Sequence, residues 1–367
     1  MTKNTDPAPS QPIERRDFIK LGAGLGALML TDIKAAEASA QRGPAASGSI
    51  DAHAHWVPDT YAKAFAELGN GRPLTSLHTP MEQDSNLDQR LKWMDEHGIK
   101  MHVLTLDGGM PWQWASEADA ARLAQIVNDA AVAAHAKYPD RFVAGIELPI
   151  RYPDLALKEL NRMAGKPGMR AVHLPNSIEN TDFLFQGSYD PIWARCEGLG
   201  YPVLFHPLDG AESIYGGKSR LGNELELSAN LNNTLGYPIE SATTAAKFIL
   251  TGTLDKFPGL QIVLPHSGGC FPYVAGRIER GLVAKKFQLQ RPFREYIRRF
   301  HYDSITYYPE TLRFLVNLVG SDRVVIGSDF YAPMEVEQPN ALTEGLNLSP
   351  QDRDRILFGN ATRLFRL

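Results

Sequence analysis

The most chemically loaded stretch of this 367-residue chain runs from Asp51 to His55. His53 and His55 stand two residues apart in it, behind an apolar Ile50 and ahead of Trp56, Val57 and Pro58. Alternation along an extended segment puts Asp51, His53 and His55 on one face. Two neutral imidazoles pointing the same way can grip one divalent ion at roughly 2.0 to 2.1 Å each. A His-x-His pair also arises by chance, so the other titratable residues must decide.

Their positions depend on the elements that carry them. After Ile50, eight short apolar or β-branched runs alternate with helix-length segments. The predicted strands are Ser49 to His53, Met101 to Leu106, Phe142 to Glu147, Met169 to His173, Pro202 to His206, Gln261 to His266, His301 to Thr306 and Arg323 to Ser328. Helices are predicted over Asn86 to His97, Glu117 to Lys137, Asp154 to Ala164, Pro191 to Leu199, Glu240 to Lys256 and Pro309 to Leu318. Ser116 reads as an N-cap, and Gly98 and Gly200 as helix stops. This alternation argues for an α/β protein with a single-domain (β/α)8 TIM barrel over residues 50–367, with a doubly wound open sheet as the alternative. Long inserts, Asp59 to Asp84 and Leu208 to Tyr237, follow strands one and five. In a barrel both hang over the C-terminal face, where active sites are built.

Polar residues gather where the strands stop. Of ten histidines, His53, His55, His173, His206 and His266 fall at or just past strand C-termini, and Asp329 follows strand eight. His78, His97, His102, His135 and His301 fall on loops, helices or strand starts and read as surface or structural residues. Three imidazoles and a carboxylate make a mononuclear site with room for water or substrate. His53, His55 and His206 are the expected ligands, and Asp329 is expected either on the metal or bonded to its water. His266 precedes Ser267, Gly268, Gly269 and a helix opened by Pro272, which suits a proton shuttle beside the ion, with service as a further ligand the alternative. His173 either lines the pocket or is a core histidine bonded to a backbone carbonyl. Strand four holds no lysine that could be carboxylated to bridge two ions, so one divalent ion is expected.

Composition narrows the remaining choices. With 43% hydrophobic residues the chain can bury a large core, and a net charge of -4 without a Lys/Arg-rich stripe argues against a nucleic-acid partner. Only Cys196 and Cys270 are present, which rules out a disulfide framework or a cysteine-rich zinc module. Residues 1–40 read as a twin-arginine-type export signal: Arg15 and Arg16, a mildly apolar run from Leu21 to Leu30, then Ala38, Ser39 and Ala40. The run is too short to span about 20 residues' worth of bilayer, so no stable membrane anchor is expected. Residues 41–49 form a linker, and the expected destination is the periplasm.

Placed in order, these pieces resemble the amidohydrolase superfamily. Within it they resemble the amidohydrolase-related group of muconate-semialdehyde, resorcylate, orsellinate and 5-carboxyvanillate decarboxylases. The resemblance rests on Asp51 to Pro58, Tyr138 to Phe142, Pro202 to Pro207, Phe257 to Leu260, His266 to Tyr273 with Gly276 and Arg277, and Gly327 to Asp329. Two departures stand out: Ser267 replaces a common glycine, and Phe330 to Pro333 replaces an aromatic set directly before proline. No basic residue stands around Met81 to hold a muconate-semialdehyde carboxylate.

The resemblance implies a distorted barrel and one zinc or manganese ion, zinc foremost, on His53, His55 and His206 with Asp329 at the metal. It also implies His266 as acid/base and a homodimer in which Arg277 reaches a neighbouring subunit's site. The expected reaction is non-oxidative decarboxylation of an aromatic or unsaturated carboxylic acid, on which Trp56, Phe271 and Phe330 could stack. The same residues would also serve a hydrolase of a lactone, ester or amide. A catalytically dead periplasmic binding protein is a third reading.

Overall fold

The computed structural model describes residues 48–68, 86–106, 110–178, 183–207, 231–332 and 334–367. Contacts divide the chain at Ala45, and the unit from Ala46 to Leu367 holds every described residue. The expected signal (1–40), most of the linker, His78, Met81 and Pro333 lie outside the described residues, as do large parts of both inserts.

Eight strands pair side by side in chain order, every pair parallel. They are β1 (Ser49–His55), β2 (Ile99–Thr105), β3 (Phe142–Glu147), β4 (Met169–Pro175), β5 (Val203–His206), β6 (Ile262–Leu264), β7 (Phe300–Asp303) and β8 (Val324–Val325). Between β8 and β1 only the bridges Asp51↔Ile326 and Ala54↔Phe330 complete the ring, so the barrel is nearly closed and unevenly made. The open-sheet alternative fails, because an open sheet leaves its first and last strands apart.

Among the described residues the longer helices are α1 (Asp59–Glu67), α2 (Leu87–Glu96), α3 (Glu117–Lys137), α4 (Pro153–Met163), α5 (Asp190–Leu199), α6 (Tyr237–Leu250), α7 (Phe271–Ala284) and α8 (Pro309–Val319). Local chemistry sets their ends. Ser116 accepts the Asp119 amide at 3.2 Å, and Gly200 ends α5 with φ 62. The helix expected to run from Glu240 to Lys256 is broken, because Gly252 turns to φ 73 and a separate turn, Thr253–Lys256, follows. Part of the first insert, Asp59 to Asp84, forms α1, whose buried Tyr61, Ala62 and Phe65 give it one apolar face.

Apolar residues from seven strands, among them Ile50, Met101, Val143, Leu204, Val263 and Val325, meet in one cluster with Leu364 and Phe365. The last helix, Asn360–Phe365, thereby packs into the cluster shared by the strands. Burying a side chain such as Phe365 fully is worth about 1.5–3 kcal/mol. The polar strand ends are left for the other face.

Candidate metal centre

β1 continues to His55, and β5 stops at His206. Asp329 lies four residues past Val325, the last residue of β8. One ligand atom each from His53, His55, His206 and Asp329 fall within 4.8 Å of one another, and all four residues are buried. His53 Nε2 is 3.1 Å from His55 Nε2, and Asp329 Oδ1 is 3.0 Å from His55 Nε2 and 3.4 Å from His53 Nε2. The alternation expected in β1 is interrupted by a register shift between Asp51 and Ala54. Asp51 therefore leaves the histidines and accepts the His53 and Ser328 amides, at 3.0 and 3.2 Å, and the Ser328 hydroxyl. Burial pushes the Asp51 carboxyl up to about 6.

The hydrogen bonds on the far side of each ring decide what this cluster can hold. Nδ1 of His53 faces Asp303 Oδ2 at 2.7 Å, Nδ1 of His55 faces the Leu106 carbonyl at 3.1 Å, and Nδ1 of His206 faces the Pro207 carbonyl at 2.7 Å. Each partner only accepts, so each Nδ1 carries the proton and each Nε2 presents a lone pair. Three lone pairs and a carboxylate oxygen converging in a buried space repel one another unless a cation lies between them. The donor set thus fits a divalent ion. Burial, then the neighbouring His55, His53, His266 and His173, hold His206 far below the usual imidazole range, so it stays neutral. Burial alone would raise Asp329, but the surrounding imidazoles of His55, His53 and His266 outweigh it and keep the carboxylate ionised.

His266 is not on a strand. It opens a tight turn, His266–Gly268, with φ 50, followed by Ser267 at φ 57. Non-glycine residues pay of order 1–3 kcal/mol for such backbone, so the surroundings must impose it. Asp303 does so: Oδ2 accepts the His266 amide at 2.8 Å and Oδ1 the Ser267 amide at 2.7 Å. Gly269 (φ 59) completes the turn, where a Cβ would lie 2.0 Å from the Pro238 carbonyl oxygen. The His266 ring has its Nε2 3.9 Å from Asp329 Oδ2, and its buried Nδ1 has no partner among the described residues. Burial above all pushes the ring down to about 4, which leaves it neutral near pH 7.

Other expected site residues fall differently. His173 bonds a carboxylate, Glu147, at 2.8 Å rather than a backbone carbonyl, and it lines a narrow cavity shared with His53, His206 and Asp303. Trp56 is buried with its indole N–H unpartnered among the described residues, and Arg277 is exposed on α7. Phe271 and Phe330 are core residues rather than a stacking surface. Both have no exposure; Phe271 packs on Phe293 and Phe300, and Phe330 on Trp93, His102 and Tyr331. A larger groove of about 320 Å³ beside α7 shares no lining residue with the cavity at the histidines.

Asp303 was not among the residues expected from sequence, although it ends β7 as the ligands end theirs. The predicted strand, His301 to Thr306, put it mid-strand, and no motif marked it. Gly327 belongs with it, since a Cβ there would meet Asp303 Cβ at 2.9 Å and His53 Cβ at 3.1 Å.

A family model described as Amidohydrolase matches residues 50–367. The 2-amino-3-carboxymuconate-6-semialdehyde decarboxylase of Dictyostelium discoideum is 29% identical over 87% of this chain and 91% of its own length. A gamma-resorcylate decarboxylase from a Rhizobium species is 30% identical over 76% of this chain and 87% of its own. A dihydroxybenzoic acid decarboxylase from a Polaromonas species, solved with bound manganese and the inhibitor 2-nitroresorcinol, superposes with a TM-score of 0.71. It is 25% identical and covers 88% of this chain and 97% of its own.

Proposed function

The chain belongs to the amidohydrolase family, and from that premise we propose that it is a metal-dependent non-oxidative decarboxylase of an aromatic carboxylic acid. The observation that carries this reading is the donor set: three imidazoles locked with Nε2 inward, a carboxylate, and a neutral histidine beside them that the set does not need. The curated relatives named above are decarboxylases, which favours this chemistry over hydrolysis at the same residues.

A divalent ion bound here supplies positive charge that holds the substrate carboxylate and offsets charge developing as the C–C bond breaks. Asp329 stays ionised, while Asp303 and the Leu106 carbonyl keep His53 and His55 turned inward. The electron pair of the broken bond remains on the substrate carbon, carbon dioxide leaves, and a proton must replace it. His266, neutral at rest, takes that proton from solvent and delivers it to the carbon. Turnover in labelled water tests this. Carbon dioxide should be released in step with incorporation of one solvent hydrogen at the vacated carbon. Acid formation with solvent oxygen in the product and no carbon dioxide would move the assignment to a hydrolase.

Three imidazoles with one carboxylate favour zinc, with manganese the alternative; metal analysis of the purified protein separates them. The unpartnered apolar surface around Arg277 supports a homodimer. Tyr273 is 83% exposed on α7, 6.3 Å from the ring of Phe314 on α8, and Val283 and Phe287 are exposed nearby in sequence. Sedimentation should give a dimer at micromolar concentration, and a monomer at every concentration would discard it. No helix among the described residues is long and apolar enough to cross a membrane. For residues 1–40 the proposal is export through a twin-arginine-type signal. Replacing Arg15 and Arg16 together by lysine should leave the precursor in the cytoplasm of a bacterial host, whereas unchanged periplasmic yield would refute it.

A further inference from the structure

Neighbouring strands pair as continuous ladders, with register shifts in β1–β2 and β3–β4, except where β8 returns to β1. There, two isolated bridges and the backbone bonds Ala52 N to Ile326 O (2.8 Å) and Asp329 N to His53 O (3.0 Å) make the join. The metal donors lie on both sides of this seam: His53 and His55 on β1, Asp329 just past β8. The 3.0 Å approach of Asp329 to His55 therefore depends on a contact that the ladder alone holds weakly.

A single side chain from α2 bridges the seam from behind. Arg90 has no solvent exposure. Its Nη2 donates to the backbone carbonyl of His55, and its Nη1 lies 3.2 Å from His102 Nδ1. The same guanidinium lies 4.4 Å from the ring centroid of Phe330, the residue directly after Asp329. Trp93, also on α2, packs its ring against Phe330 at 4.2 Å. Arg90 thus touches the backbone of one donor and the neighbour of another. Deeper in the seam, Asp51 joins β1 to Ser328, with His102 Nε2 3.6 Å from its Oδ2.

We propose that Arg90 is a positioning residue that clamps the β1–β8 seam and so sets the separation of His55 and Asp329. The proposal rests on the metal-centre reading above. Desolvating a guanidinium costs several kcal/mol, so its burial is expensive as mere filling. What it supplies is geometry, because a planar fork can donate in its plane to His55 and His102 while its face lies on an aromatic ring. Lysine can keep the charge and one hydrogen bond, but not the fork. Outer partners of this kind hold metal ligands in place, and losing one typically weakens binding about 10- to 100-fold.

The test compares Arg90→Met, Arg90→Lys and Phe330→Leu with the parent chain and with His206→Ala. Zinc and manganese affinities are measured by chelator competition, and each metal-free protein is melted. The clamp predicts that Arg90→Met loses about 10- to 100-fold in metal affinity, Arg90→Lys recovers part of it, and Phe330→Leu weakens binding as well. A purely structural role lowers the melting temperature and leaves the affinity of the folded protein alone. If Arg90→Met does not fold, the other two variants decide. Parental metal affinity in folded Arg90→Lys and Phe330→Leu would overturn the proposal while His206→Ala still loses the ion. A parent chain that binds neither metal would overturn the metal centre itself, and the clamp with it.

Discussion

Replacing His206 by alanine should empty the centre of its ion, whereas replacing His266 by alanine should leave the ion in place and remove turnover. His206 ends β5, His266 lies two residues past β6, and their rings are 5.4 Å apart, so proximity does not separate them. Their bonding does. His206 has its Nδ1 committed to the Pro207 carbonyl and turns Nε2 into the donor set, so its loss removes a third of the imidazole ligands. The loss of affinity should exceed the roughly 10- to 100-fold expected for an outer partner. His266 stands outside the set, with Nδ1 unpartnered among the described residues and Nε2 beyond hydrogen-bond distance of Asp329. Loss of a positioned proton donor costs about 10²- to 10⁴-fold in turnover. Metal content and turnover measured on the same preparations decide, and loss of metal in both variants would end this division of labour.

Asp303→Asn should be the next most damaging single change, although the residue is not one of the four grouped donors. Its Oδ2 accepts from His53 Nδ1 and from the His266 amide, and its Oδ1 accepts from the amides of Ser267 and Ile305 at 2.7 and 3.1 Å. An asparagine turns one of those oxygens into a donor, so either orientation leaves buried N–H groups facing an NH2. Each orphaned donor costs about 1–3 kcal/mol. One substitution therefore disturbs both the tautomer of a ligand and the strained turn that carries the proton shuttle. Metal affinity should fall about 10- to 100-fold, with turnover falling further and the metal-free protein melting several degrees lower. Parental metal affinity and turnover in this variant would show that Asp303 has no such double role.

The positions of the ligands were legible because they depend on local and repetitive signals. Period-two apolar runs, capping residues such as Ser116 and stops such as Gly200 act over a few residues. Eight repeats of strand and helix admit few topologies. Once the strands are counted, a histidine or aspartate at a strand's C-terminal end has one place to go. β8 is shorter than the predicted Arg323 to Ser328, because Ile326 to Phe330 leave the ladder with β7 to cross to β1. Its polar terminus was legible all the same.

By itself, then, the sequence determined a parallel barrel and the identity of the four residues that gather at its mouth. Tertiary structure alone decided which groups hold them. Asp303 and His53 are 250 residues apart and meet at 2.7 Å, and Arg90 on α2 reaches the carbonyl of His55 on β1. No spacing rule encodes such pairings, since they depend on how neighbouring strands are staggered. The aromatic residues teach the same lesson. Phe271 and Phe330 have the shape to stack on a flat substrate or to fill a core, and transfer from water favours both. Only the packing of Phe293, Phe300, Trp93 and Arg90 around them closes off the first use.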